Sequence, residues 1–196
     1  MVRALEFDPD TVLMKAMDLF WQKGVEHTSI SDLVEATGVQ RSGLYNVFGN
    51  KDELFKKSVS LYLKKMNSQN FIDINRPNAR LADIKRFFNR FNDMAIDPIN
   101  ARGCLMCNTA SSDAKEAEYV NSLIAEQFSN IEEKFYAALK RSRDAGEFSD
   151  VASDRQLAQY LVASILSLSN LCRTPVGRNV AKSYLSELLS RLNNLN

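Results

Sequence analysis

Apolar residues recur at intervals of three and four along most of the chain, and convincing alternation of period two is missing. The pattern therefore predicts an all-α protein of about nine helices. The first helix begins at Asp8-Pro9, an N-cap followed by proline at the first helical position. It carries Leu13, Ala16, Met17 and Phe20 on one face and ends at Gly24. A second helix starts at Ser29, where Asp32 three residues on completes a capping box, and stops at Gly38. A short third helix covers about 41–48, and Asn50 with Glu53 opens a fourth that reaches about residue 71.

A polar stretch over 73–78 reads as a bend or linker. The fifth helix covers about 81–95 and carries Ile84, Phe87, Phe88 and Phe91; a loop around Asp97-Pro98 follows. The sixth covers about 103–111. The seventh, about 114–145, carries Val120, Ile124, Ile131 and Phe135. Ser153 and Gln156 form a third capping box and open the eighth helix, with Leu157, Leu161, Ile165, Leu168 and Leu171. The ninth, about 177–192, carries Val180, Leu185, Leu188, Leu189 and Leu192. The apolar faces of these last two helices suit either an internal core or a two-fold interface with a second copy.

Composition narrows the class. With 45% hydrophobic and 25% charged residues, the chain is an ordinary globular protein. One histidine makes His-based catalysis and His-rich metal sites improbable, and no cofactor or metal is implied. Three cysteines, an odd number, form no closed disulfide framework and suggest a reducing, cytoplasmic setting. The chain lacks an apolar run long enough to span a membrane, and its acidic first residues do not read as a signal peptide. A net charge of +1 gives no global field for nucleic acid. The charge is unevenly placed, however. Residues 1–39 carry a net −4 and residues 40–66 a net +4, from Arg41, Lys51, Lys56, Lys57, Lys64 and Lys65 against Asp52 and Glu53. Lys64 and Lys65 also fit a plain solvated surface.

The positive stretch overlaps the sharpest motif. The segment 28–55, TSISDLVEATGVQRSGLYNVFGNKDELF, holds a short capped helix, a glycine turn and a second short helix. Ile30, Leu33, Val34, Val39, Leu44 and Phe48 are spaced to hold the two together. This is a helix-turn-helix, whose second helix can enter a DNA major groove. A helical hairpin without a DNA role is the plainer reading of such a pair.

The details favour DNA. Thr28, Ile30, Leu33, Ala36, Gly38, Val39, Gly43, Leu44, Tyr45, Phe48, Lys51, Leu54 and Phe55 together resemble the N-terminal domain of the TetR/AcrR family of transcriptional regulators. The likeness is strong over about residues 10–60. It implies a helix-turn-helix domain over 1–50, a connecting helix over 51–71, and an effector and dimerisation domain within 51–196. By position in the motif, Ser31, Arg41, Ser42, Gly43, Tyr45 and Asn46 face DNA. Arg41 is long enough to reach a guanine edge. Gly43 permits close backbone approach, and Tyr45 offers a hydroxyl to phosphate or simply packs. Lys51 sits at a helix start, which suits a phosphate. Gln40 stands where a better N-cap is usual and so is also placed toward DNA. The resemblance further implies a homodimer on a palindromic double-stranded operator. Its interface is expected on the last two helices, at Leu161, Ile165, Leu168, Leu185, Leu188, Leu189 and Leu192.

The C-terminal residues carry the effector candidates. Phe87, Phe91 and Phe128 are expected to border an apolar pocket for an unknown small molecule, although most aromatics there read as core. Cys104 and Cys107 share one face of the sixth helix. The Gly-Cys-Leu at 103–105 resembles the NemR-like branch of the family, in which a cysteine is alkylated or oxidised and DNA is released. A buried cysteine acting as a small hydrophobe is the plainer reading. Two other functions remain open from sequence: a thiol-based redox protein using Cys104 and Cys107, and a helical interaction protein without DNA affinity.

Overall fold

The computed structural model describes residues 7–96, 102–149 and 152–195. The expected loop around Asp97-Pro98 lies outside them. Among the described residues are nine α-helices: α1 (Pro9–Lys23), α2 (Ile30–Thr37), α3 (Arg41–Phe48), α4 (Lys51–Lys65), α5 (Leu81–Ile96), α6 (Leu105–Ala110), α7 (Ala117–Asp144), α8 (Asp154–Leu171) and α9 (Pro175–Asn193). The fourth helix is shorter than expected: a π-helical turn, Met66–Asn70, replaces its last five residues.

All the expected caps are made. The Asp8 carboxylate accepts from the backbone N–H of Asp10 and Thr11. Ser29 and Asp32 bond each other's backbone at 2.7 and 3.1 Å, and Asn50 and Glu53 do so at 3.0 Å each way. Ser153 and Gln156 close the third box. Thr174, a cap not expected from sequence, accepts from Gly177 N–H and starts α9 two residues earlier.

The chain forms two compact units. The first holds the residues up to Lys65 together with Leu105–Asn121. Here α1 packs on α4 and α2, α3 packs on α2 and α4, and α6 lies on α1 and α4. Its core is built from Met17, Phe20, Leu33, Leu44, Phe48, Phe55 and Val59, with Phe20 and Phe55 edge to face at 5.3 Å. An expected boundary at residue 50 differs from this division. The α4 side chains Leu54, Phe55, Val59 and Tyr62 are buried in the first unit, and the 105–121 segment is tied to α4 by Lys115, whose ammonium lies 2.5 Å from Asp52.

The second unit holds Met66–Cys104 and Ser122–Asn196. Its core joins Phe71, Ile84, Phe87, Phe88, Ile131, Phe135, Leu139, Leu161, Leu168, Leu185 and Leu188. The residues of the expected dimer surface lie on this core. Leu161, Ile165, Leu168, Leu185, Leu188 and Leu192 are all buried within the unit, none more than 7% exposed. Leu189 is half-buried against the same core. Their spacing records a buried stripe, and that stripe meets its own chain. Val180, expected on the same apolar face of the ninth helix as Leu185 and Leu188, is instead 51% exposed.

Candidate nucleic-acid interface

The site is built on α2, α3 and the start of α4. Gly38, in a left-handed conformation at φ 76°, ends α2 and turns the chain into α3. Leu33, Val39, Leu44 and Phe48 are buried between these elements; Ile30 and Val34 are half-buried. Leu44 and Phe48 lie on one side of α3; between them Asn46 is exposed, and Tyr45 and Val47 are half-buried.

Ser31, Gln40, Arg41, Ser42 and Asn46 are exposed, so five of the eight expected DNA-facing residues form an open polar surface. Gln40 makes no capping bond, which leaves its side chain available. Tyr45 is half-buried, with the Arg41 guanidinium 5.1 Å above its ring centre. The pair couples a cation to an aromatic face and orients both heads. Two expected residues are placed differently. A β-carbon on Gly43 would stand 2.9 Å from Val39 Cγ1 and 3.4 Å from Phe7 Cε1, so this glycine's bare face is turned to the protein. Lys51 is half-buried and donates to the Thr28 carbonyl at 2.8 Å, bracing the entry to α2.

Two further residues shape the surface. Lys57 donates to the carbonyls of Phe48 and Val47 at 3.1 and 3.4 Å, satisfying the C-terminal end of α3. Sequence showed only one lysine in a basic run. Lys23 pairs with Asp32 at 2.7 Å. That ammonium, followed by the Ser29 hydroxyl and backbone N–H, holds the Asp32 carboxyl well below the usual carboxylate range.

Elsewhere, Phe87 is a core residue ringed by Phe71, Phe88, Phe91 and Phe135, with ring centres 5.0–6.1 Å away. Phe91 and Phe128 are half-buried against that core. Cys104 and Cys107 are half-buried thiols, while Cys172 is buried and its thiol pKa is pushed up by burial.

The chain matches the family described as bacterial regulatory proteins, tetR family, over residues 12–57. It matches the tetracyclin repressor-like C-terminal domain over residues 80–176. It is 30% identical to the uncharacterized HTH-type transcriptional regulator YezE of Bacillus subtilis (strain 168), over 98% of this chain and 100% of that protein. It is also 30% identical to the HTH-type transcriptional repressor ComR of Escherichia coli (strain K12), over 83% of this chain and 78% of that one. Among solved structures, a cysteine mutant of the TetR family regulator CifR, complexed with 26-bp operator DNA, superposes with a TM-score of 0.82 at 23% identity, covering 96% of this chain and 98% of that one. The reduced form of E. coli NemR does so at 0.73 and 14%, covering 95% of each. At these identities the structural likeness is one of fold.

Proposed function

This chain belongs to the tetR family of bacterial regulatory proteins, and from that premise we propose a DNA-binding transcriptional repressor. It acts in the cytoplasm as a homodimer on a palindromic operator. A small-molecule effector, or modification of Cys104 or Cys107, releases it. The repressor ComR and the operator-bound CifR structure support this direction. The observation that carries the reading is the outward face of α3, where Arg41, Ser42 and Asn46 stand exposed with Gln40 just before them and Ser31 on α2. Arg41, fixed over Tyr45, is the group to read a base edge, and the hydroxyls and amides position the helix on phosphates. One such helix covers too few bases, so two copies reading half-sites about 34–36 Å apart are required. The reading includes no catalytic step.

The test is selection of a preferred duplex from a random-sequence pool, then titration of wild type, Arg41→Ala and Tyr45→Ala against it. Arg41→Ala is expected to weaken binding by about 1–3 kcal/mol and relax preference at one base position. A wild-type protein that selects no sequence, even at low salt, refutes the assignment.

A further inference from the structure

We propose that Phe7, outside the helix-turn-helix itself, positions the recognition helix α3 by filling the space that Gly43 leaves open. The proposal rests on the DNA-binding reading above and adds a residue to it.

The helix is weakly self-sufficient. It has eight residues, below the length at which a helix stands alone, and Gln40 gives it no side-chain cap. Leu44 and Phe48 anchor its middle and end, and Lys57 holds its last carbonyls. Its first turn carries Arg41, Ser42 and Gly43, of which Gly43 alone faces inward. Gly43 has no positive φ, so backbone conformation does not require a glycine there. Space does. The Phe7 ring carbons Cε1 and Cζ lie 3.4 and 4.0 Å from where its β-carbon would stand, and Val39 lies closer still.

Phe7 is also on a short tether. Its neighbour Asp8 caps α1 through bonds to Asp10 and Thr11, and α1 is seated by buried Val12, Ala16, Met17 and Phe20. The half-buried ring therefore transfers the position of α1 to the first turn of α3. That turn carries Arg41 and Ser42, so a change at Phe7 shifts several DNA-facing groups together. It touches no phosphate.

The experiment uses the full-length protein and the duplex selected by wild type, read by fluorescence anisotropy across a salt series with melting curves in parallel. Phe7→Ala is expected to weaken binding about tenfold, the scale of one good base contact. The loss should appear as faster dissociation, with the salt slope unchanged because no phosphate contact is removed. Phe7→Leu should recover most of the loss. Gly43→Ala, whose new methyl meets Val39 and Phe7, should weaken wild type more than it weakens Phe7→Ala. The proposal is overturned if Phe7→Ala binds within about twofold of wild type, if its effect and that of Gly43→Ala simply add, or if affinity falls only in step with melting temperature. A wild type that binds no duplex overturns instead the DNA-binding reading beneath it.

Discussion

At the scale of single residues, the direction in which a side chain points decides its role, and sequence spacing gives that direction only where a periodic face exists. Cys104, Cys107 and Cys172 illustrate this. Cys172 is 2% exposed in the core, and burial raises its thiol pKa, so little thiolate forms near neutrality. Cys104 and Cys107 are half-buried at and just inside the start of α6. Iodoacetamide at pH 8 is therefore expected to modify Cys104 and Cys107 in the native protein and Cys172 only in denaturant. Peptide mass spectrometry reads the difference, and native labelling of Cys172 at a rate equal to the others contradicts it. For Gly43 and Lys51 the motif gives the residue type at each position but not its orientation. The motif fixes where a glycine or lysine occurs; Phe7, Val39 and the Thr28 carbonyl, which settle what each touches, come from other parts of the chain.

At the scale of elements, helix starts were legible because capping is local: a side chain three residues away completes it. The three boxes and the Asp8 cap are all formed, whereas Thr174 at the start of α9, and Asp83 and Ser142, which accept from Arg80 and Leu81 N–H at the start of α5, escaped notice. The α2 box also has a pH signature. Lys23, then Ser29, stabilises the charged form of Asp32, so its folded pKa lies below the ordinary 3.8. A depressed carboxyl pKa contributes stability that is complete above the unfolded value and is lost as pH falls through the folded one. Wild type should therefore exceed Asp32→Asn in urea midpoint at pH 6, with the gap narrowing steadily below about pH 4. A gap independent of pH would assign the effect to the hydrogen bonds alone. The helix ends were less legible. The π turn at Met66–Asn70 interrupts a run whose periodicity reads as unbroken helix, because the switch from one hydrogen-bond pattern to another leaves the residue types unchanged.

At the scale of the whole molecule, the apolar stripe of α8 and α9 was legible as a buried face, but not what it is buried against. Within the second unit that stripe is closed by the chain's own core, so a two-fold contact built on these helices would use their opposite side. There Tyr160, Val176 and Val180 are 40, 76 and 51% exposed, alongside exposed Ala163, Ser167 and Ser183. Large apolar side chains left in water beside small ones are what a close helix-on-helix contact between copies needs. Two substitutions separate the faces. Leu188→Ala removes a side chain 1% exposed and should cost about 2–5 kcal/mol of stability while leaving the assembled mass unchanged below the melting range. Val180→Glu leaves the core untouched and should melt close to wild type. Its charge would be buried without a partner in the dimer, so it should run as the 22.2 kDa monomer in light scattering. Because one recognition helix reads only half an operator, the Val180→Glu protein should also lose operator binding by roughly a hundredfold or more, beyond what any single base contact explains. A Val180→Glu protein that stays dimeric and bound, or a Leu188→Ala protein that dissociates without losing stability, would return the interface to the buried stripe.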